Sequence, residues 1–342
     1  MRAVVCRAWA DYASLPLDTI PRPAMRPRGV RIAIRAAGVS FATTLITSGQ
    51  HQTKPPLRFT PGTEVAGVVT ECAPGVTRVK PGDRVCAAPE WGGHAEEVVA
   101  LEHNVFPIPT DLPFAGAAQF PLSYGTAYGA LVWRADLAAG ENLLVFGAGG
   151  AVGLAAVEVG KALGARVIAC VGSEEKAAVA RAHGADQALV GPPETLRDAI
   201  RQLAGARGVD VVFDPVGGAA FEVGMRVAAA HARLVIIGFA SGTRPMVPAN
   251  ILLVKNLDAI GFYFGRYIWD GVVPRLPWDD RVAEAFTQLF QWYEEGQLKP
   301  VASLRFPLER YREAMASVVA RRGIGKVVLE MTGESSSPAM EE

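Results

Sequence analysis

Four glycines lie close together in the segment LLVFGAGGAVGLAAVEVGKALGA, namely Gly147, Gly149, Gly150 and Gly153. They stand between an apolar run that predicts a strand and a run that predicts a helix. There the first glycine permits a tight turn, the middle ones let the backbone approach a pyrophosphate, and the last lets helix and strand pack closely. The helix N-terminus attracts the phosphates. The segment predicts a dinucleotide-binding turn; the alternative is that the glycines serve only a tight turn. The spacing exceeds strict GxGxxG by one residue, because Val152 occupies the position of its third glycine.

The residues after the second predicted strand bear on which dinucleotide binds. An NAD site is typically completed, about 20 residues after the turn, by an acidic side chain that holds the ribose 2′-hydroxyl. Gly172 and Ser173 stand at this point, and Lys176 follows. A hydroxyl and a cation suit a 2′-phosphate, which a carboxylate would repel. This pattern favours NADPH; the alternative is that Glu174 holds the ribose of NADH while Lys176 is only a solvated helix residue.

The elements that position this turn repeat in a regular order. From about residue 143 an apolar strand, a turn and an amphipathic helix alternate, and the strand runs are continuously apolar, which is typical of a parallel sheet covered on both faces. The predicted strands are residues 143–146, 167–171, 187–190, 209–214 and 233–238, and the predicted helices are residues 154–163, 174–183 and 195–203. The fold class is therefore α/β, with a doubly wound parallel sheet.

The regions on either side of this sheet have other patterns. Short β-branched runs and Gly/Pro turns fill the first hundred or so residues, and two helices at 279–295 and 308–320 precede a last strand at 326–330. The predicted domains are a β-rich domain at 1–122, completed by 263–332, a nucleotide-binding domain at 123–262, and a disordered tail at 333–342. A ligand is expected in the cleft between the two domains.

Composition excludes several classes of function. The chain has 342 residues with 34 basic and 34 acidic side chains, so nothing favours a nucleic acid or an anionic membrane as a partner. No apolar run reaches the roughly 18 residues of a membrane helix, and no secretory signal is recognisable, which predicts a cytoplasmic protein. The cysteines form no CxxC pair, so neither a disulfide framework nor a zinc cluster is indicated. They are Cys6, Cys72, Cys86 and Cys170.

Several stretches, taken together, resemble a known family over nearly the whole chain. They are residues 36–50, 61–69, 79–85, 121–132, 146–169, 214–218 (DPVGG), 235–242 and 325–329 (GKVVL). The sequence resembles the medium-chain dehydrogenases/reductases, and within them the zinc-free quinone oxidoreductase branch that includes zeta-crystallin. The resemblance implies a GroES-like β-rich catalytic domain joined to a Rossmann domain. It also suggests a homodimer joined through edge strands near residues 257–262.

The resemblance carries a set of site residues onto this chain. The implied cofactor contacts are Thr126, Phe262, Tyr263 and Phe264 near the nicotinamide, Gly150, Ala151, Val152 and Gly153 at the pyrophosphate, Ser173 and Lys176 at the adenosine phosphate, and Gly238, Phe239, Ala240, Lys326 and the more weakly matched Arg321. In zinc-containing relatives three residues hold the catalytic metal, and the matching positions here are Ser40, Thr63 and Leu122. These are not a plausible zinc ligand set, so no metal is expected.

The electron acceptor is the least determined part of the prediction. The leading interpretation is an NADPH:quinone oxidoreductase acting on a small molecule; the alternatives are a reductase of enals, enones or enoyl-CoA, and a cofactor-binding structural or regulatory protein without turnover. An enone needs a proton donor, for which the candidates are His51, Tyr124, Tyr128 and Tyr263, with a surface-loop His51 and a core Tyr128 as the simpler alternatives. The predicted substrate pocket contains Ser40, Thr43 and His51, where this chain departs from its family's pattern.

Overall fold

The computed structural model describes residues 1–270 and 274–331, so the predicted tail at 333–342 lies outside the described residues. The strands are β1 (Arg2–Val4), β2 (Leu17–Thr19), β3 (Gly29–Val39), β4 (Val65–Cys72), β5 (Arg84–Ala87), β6 (Glu97–Leu101), β7 (Val105–Pro107), β8 (Asn142–Phe146), β9 (Arg166–Val171), β10 (Gln187–Val190), β11 (Val209–Asp214), β12 (Ala228–Ile236), β13 (Asp258–Gly261), β14 (Leu304–Pro307) and β15 (Val327–Glu330). The α-helices are α1 (Phe41–Thr47), α2 (Phe114–Ala117), α3 (Gly125–Tyr128), α4 (Ala151–Ala162), α5 (Glu174–Ala182), α6 (Arg197–Ala204), α7 (Ala219–Val227), α8 (Ala249–Lys255), α9 (Gly265–Ile268), α10 (Asp279–Glu294) and α11 (Tyr311–Val319). Two π-helical segments, Phe120–Tyr124 and Gly129–Arg134, flank α3.

The chain forms two compact units. Unit 1 comprises Met1–Pro121 with the described residues of Trp269–Pro274 and of Ala302–Glu342; unit 2 comprises Leu122–Ile268 and Arg275–Val301. The sequence-based division assigned all of 263–332 to the β-rich domain, whereas residues 263–268 and 275–301 group with unit 2. The reason is packing, since α10 contacts both α9 and α3 inside unit 2.

Unit 2 is built on the predicted parallel sheet. Its six strands follow the order β10-β9-β8-β11-β12-β13, and every neighbouring pair is parallel. All residues of β8 and β11 are buried, as expected for strands covered on both faces. The first strand, β8, lies between β9 and β11, so the turn after it lies where the strand order reverses. Ligands of such sheets bind at this switch point.

Unit 1 contains the β-rich part of the chain. Its larger sheet follows the order β14-β15-β3-β4-β5-β7, with β6 also paired to β3, and all pairs except β14–β15 are antiparallel. The late strand β15 pairs with β3 through Val327–Val39 and the following residues. The C-terminal part of the chain thus returns to complete the first sheet. Within the described ranges, no helix is long and apolar enough to cross a membrane.

Candidate active site

The glycine turn joins β8 to α4 at the switch point of unit 2. Gly147 has a φ of 61°, a left-handed conformation that glycine adopts without steric cost. A Cβ on Gly153 would lie 2.3 Å from the carbonyl oxygen of Gly147, so only a glycine allows the helix to start this close to the turn. Gly150 is the N-cap of α4 and supplies no side-chain cap. The positive end of a 12-residue helix is therefore left for an anion.

Lys176 lies directly on this turn. A Cβ on Gly149 would lie 2.8 Å from the Cβ, Cγ and Cδ atoms of Lys176, so the aliphatic stem of the lysine crosses the glycine. Ser173 is the N-cap of α5, where its hydroxyl accepts a hydrogen bond from the Lys176 amide at 3.3 Å. A Cβ on Gly172 would meet no atom within 4 Å, which leaves space beside the serine. A cation, a hydroxyl and a helix N-terminus thus converge in an arrangement that fits a phosphate group.

Glu174, on which the NADH alternative depends, is exposed in the first turn of α5 together with Glu175. Acidic side chains in a first helical turn are favoured by the helix dipole without any ligand. Their position is therefore accounted for by the helix alone.

The loops after β11 and β12 lie at the same edge of the sheet as the glycine turn. Asp214, the last residue of β11, accepts hydrogen bonds from the amides of Val216 and Gly217 at 2.8 and 2.9 Å. The Ala240 amide donates to the Pro215 carbonyl oxygen at 3.0 Å, which ties the two loops together. This places the predicted residues Gly238, Phe239 and Ala240 on a braced loop, with Phe239 exposed.

The hydroxyl of Tyr124 is directed into the core of unit 2. It donates to Glu158 Oε2 at 2.6 Å, while Glu158 Oε1 pairs with Nδ1 of His183 and accepts from the Lys299 amide at 3.1 Å. Burial, followed by the Glu158 charge, raises the pKa of Tyr124 well above its usual value. Such a phenol is a poor proton donor. Sequence reasoning missed Glu158 and His183, although a single carboxylate inside the apolar helix AVGLAAVEVGKA is a usable signal of a buried partner.

The other predicted site residues near Tyr124 in the sequence, and Tyr263, have different surroundings. Thr126 is half-buried on α3. Tyr128, expected in the core, is half-buried and packs on Trp133 and Trp292 with ring centroids 5.9 and 5.8 Å apart. Tyr263 is exposed.

Unit 1 brings together two of the predicted substrate-pocket residues. Ser40 is the N-cap residue of α1, and its hydroxyl lies 3.3 Å from that of the buried Thr43. His51 follows α1, and its Nδ1 accepts a hydrogen bond from the Thr53 amide at 3.0 Å. Burial lowers the pKa of His51. Its imidazole is therefore neutral at pH 7, which weighs against His51 as a general acid.

A buried ion pair joins the N-terminal and C-terminal segments of unit 1. The carboxylate of Glu64 and the ammonium of Lys326 are in contact, and both residues are buried. Burial raises the pKa of the Glu64 carboxyl and outweighs the opposing effect of Lys326. A cofactor contact of Lys326 would share its ammonium with Glu64. Arg321, the weaker candidate, is exposed beyond the end of α11 with a left-handed φ of 54°.

His94, which no motif singled out, is also fully buried in unit 1. Its Nδ1 lies 2.8 Å from the Tyr12 hydroxyl and its Nε2 lies 3.1 Å from the Gly38 carbonyl oxygen. The neutral tautomer with Nε2–H satisfies both contacts. Burial lowers the pKa of His94 to about 4, so the residue stays neutral in the folded protein. Across the described ranges, no group of three or more His, Cys, Asp or Glu side chains could hold a metal ion.

Two protein families match the sequence. Residues 26–110 match the alcohol dehydrogenase GroES-like domain, and residues 151–278 match the zinc-binding dehydrogenase family. The second match begins at the first residue of α4.

Individual proteins match over nearly the whole chain. The chain is 37% identical to Quinone oxidoreductase-like protein 2 of Rattus norvegicus. The alignment spans 331 residues and covers 96% of this chain and 92% of that protein. The chain is also 30% identical to the quinone oxidoreductase of Homo sapiens. That alignment spans 332 residues and covers 96% of this chain and 97% of that protein. The structure is similar to that of the Escherichia coli quinone oxidoreductase complexed with NADPH, with a TM-score of 0.87 at 26% identity over 96% of this chain and 100% of that one.

Proposed function

Because the chain belongs to the medium-chain dehydrogenase/reductase superfamily, in its quinone oxidoreductase branch, we propose that it is an NADPH-dependent oxidoreductase that reduces a quinone. The observation that carries the cofactor part of this proposal is the position of Lys176 on Gly149, next to the hydroxyl of Ser173. A cation and a hydroxyl at a helix N-terminus favour a phosphate over a bare ribose. The E. coli relative solved with NADPH supports the same choice.

The residues of unit 2 fit the parts of this cofactor in order along the sheet. We assign the pyrophosphate to the turn from Gly147 to Gly153, and the adenosine 2′-phosphate to Ser173 and Lys176. We assign the nicotinamide to Thr126 and residues 262–264. When bound, NADPH supplies a hydride, while the protein binds, orients and shields the reacting groups.

A quinone is favoured over an enone because of the states of the candidate acids. An enone needs a proton placed at its α-carbon, whereas a reduced quinone can take its proton from solvent. The hydroxyl of Tyr124 is held by Glu158, and burial lowers the pKa of His51. Neither of these two candidates is suited to deliver a proton at neutral pH, which favours the acceptor that needs no placed acid. Tyr128 and Tyr263 are the candidates left for an enone.

We propose that catalysis does not depend on zinc. Zinc is bound in proteins by thiolate, imidazole or carboxylate groups. The positions that correspond to the catalytic ligands of zinc-containing relatives carry Ser40, Thr63 and Leu122, two hydroxyls and an aliphatic side chain. Residues 151–278 match a family described as zinc-binding dehydrogenase, but this donor set is unsuited to the metal.

We further propose a homodimer formed through β13. This strand is the last in the order of the sheet and pairs with β12 alone among the described strands, so its other edge is open to a second copy. On the neighbouring α8, Leu253 and Val254 are 78% and 80% exposed. We expect the wild type to sediment as a dimer and Val254→Asp as a folded monomer; a monomeric wild type would contradict the proposal.

One experiment tests the catalytic proposal. The oxidation of NADPH and of NADH is followed by nicotinamide absorbance with a panel of quinones, enones and enals, with and without a metal chelator. We expect NADPH to be preferred, quinones to be reduced fastest, and the chelator to have no effect. Faster enone reduction would favour the alternative reductase, loss of activity with chelator would contradict zinc independence, and no oxidation with any acceptor would indicate a binding protein without turnover.

A further inference from the structure

Two glycines, Gly125 and Gly129, lie four residues apart at the start and just after the end of α3. Residues at this spacing share one face of a helix. A Cβ on Gly125 would lie 2.7 Å from both Cε1 and Cζ of Phe264, and a Cβ on Gly129 would lie 2.6 Å from Cζ of Phe262. Atoms this close overlap, so neither position has room for a side chain. Gly125 is covered by the ring of Phe264, and Gly129 is covered by the rings of Phe262 and Trp133.

The rings of Phe262 and Phe264 belong to the stretch that we assign to the nicotinamide. Phe262 and Phe264 are 6% and 4% exposed, whereas Tyr263 between them is 41% exposed. Phe264 stacks on Trp133, and Phe262 stacks on Tyr267, with interplanar angles of 25° and 28°. The Phe262 amide also donates to the carbonyl oxygen of Ile236 at the end of β12, at 3.0 Å. The backbone of residues 262–264 is therefore held by its two rings, and Tyr263 is turned outward.

We propose that Gly125 and Gly129 are positioning residues for the nicotinamide end of the cofactor site. By admitting the rings of Phe264 and Phe262, they fix the backbone of residues 262–264 next to α3, which carries Thr126. Glycine inside a helix costs about 1 kcal/mol relative to alanine, so two glycines on one face of this helical segment are consistent with a requirement for space. The inference rests on the proposed function, which assigns Thr126 and residues 262–264 to the nicotinamide.

The geometry of the sheet makes this effect local. Residues 262–264 follow β13, whereas Ser173 and Lys176 follow β9. In the order of the sheet, these two strands are four spacings apart. At about 4.8 Å per spacing this is about 19 Å. A shift of residues 262–264 is therefore expected to weaken contacts with the nicotinamide and to leave the adenosine phosphate site unchanged.

The test uses the full chain and two ligands, NADPH and adenosine 2′,5′-bisphosphate, which lacks the nicotinamide. Gly125→Ala places a methyl group against Phe264. Overpacking of this kind is expected to weaken NADPH binding about tenfold, while binding of the bisphosphate, measured by calorimetry, stays within about twofold. Adding Phe264→Leu removes the Cε1 and Cζ atoms that the methyl group would meet, so the double variant is expected to recover most of the NADPH affinity.

Gly160→Ala is the matched control. A Cβ there would lie 2.4 Å from Cδ2 of Leu143, so it overpacks the core of the same unit as severely, but away from residues 262–264. It is expected to lower thermal stability without changing the ratio of the two affinities. If Gly125→Ala does not fold, Phe262→Leu replaces it, because this smaller side chain cannot clash and is expected to weaken NADPH binding about threefold with no effect on the bisphosphate.

Three results with the variants would overturn the inference. These are equal losses for both ligands in Gly125→Ala, no loss for either ligand, or the same change in affinity ratio in Gly160→Ala. A wild type that binds the bisphosphate and NADPH equally well would also overturn it, because the nicotinamide would then make no contact to be positioned. A wild type that binds neither ligand would instead identify the proposed function as the part that fails.

Discussion

Replacing Lys176 with methionine tests the cofactor assignment most directly. Methionine keeps a flexible apolar stem over Gly149 and removes the ammonium group, with its charge and its hydrogen-bond donors. A hydrogen bond to a charged group contributes about 1.5–3 kcal/mol, and partial exposure to solvent reduces that value. The Ser173 hydroxyl and the N-terminus of α5 remain in place. We therefore expect a loss of about 2 kcal/mol, which corresponds to an increase of about 30-fold in the KM for NADPH.

The assay measures initial rates with both cofactors at several salt concentrations, together with direct binding titrations. The KM for NADH should change less than about twofold, because NADH has no 2′-phosphate for the lysine to contact. The salt dependence of NADPH binding should also be weaker in the variant, because one screened charge pair has been removed. Lys161→Met is the control, since Lys161 lies near the other end of α4 and pairs with Asp186 at 2.9 Å. Equal effects on NADPH and NADH, or none on NADPH, would refute the assignment of Lys176 to the 2′-phosphate.

Three further predictions concern unit 1. Burial lowers the pKa of His94 to about 4, so on acidification the unfolded chain takes up a proton that the folded protein excludes. The free energy of unfolding is therefore expected to fall by about 3 kcal/mol between pH 7 and pH 4. Denaturation of wild type and His94→Gln at both pH values should show a smaller loss in the variant, and equal losses would contradict this. Glu64→Gln leaves the Lys326 ammonium buried without its counter-charge and should lower the free energy of unfolding by about 3–5 kcal/mol. Adding Lys326→Met in a double variant should restore part of this loss, and additive losses would argue against the pairing. His51→Phe should leave turnover and its pH profile unchanged, because burial lowers the pKa of the imidazole, and a lost inflection near neutral pH would reinstate His51 as an acid.

The fold of unit 2 could be predicted because its signal is local and repeated. Strands such as 143–146 and 209–214 are continuously apolar, and each adjoins a turn or a helix of recognisable pattern. The structure confirms the parallel sheet, and the family matches confirm the resemblance. The domain limit was less predictable. The amphipathic pattern of 279–295 shows that this helix buries one face, but not which unit it is buried against.

The site residues also divide into those that local sequence patterns predict and those that depend on tertiary packing. The glycine turn and Lys176 are close in sequence or separated by one βα unit, so their meeting follows from the fold class. The contacts of Glu158 with Tyr124 and Lys299 span 34 and 141 residues, and no local spacing encodes them. Gly125 and Gly129 could have been noted as a pair, but which rings cover them depends on the tertiary packing of residues 262–264. The quinone, the zinc independence and the homodimer stay predictions.

The Glu158 carboxylate has a consequence for how unit 2 is connected to the rest of the chain. Tyr124 stands two residues after unit 2 begins at Leu122, and Lys299 stands two residues before it ends at Val301. Both bind the same buried side chain, so the first entry into the unit and the last exit from it are neighbours, although the chain also leaves the unit between Ile268 and Arg275. A segment whose ends lie side by side can be inserted into a host domain or exchanged between genes without stretching either partner. In this chain, one carboxylate near the middle of α4 keeps those ends together.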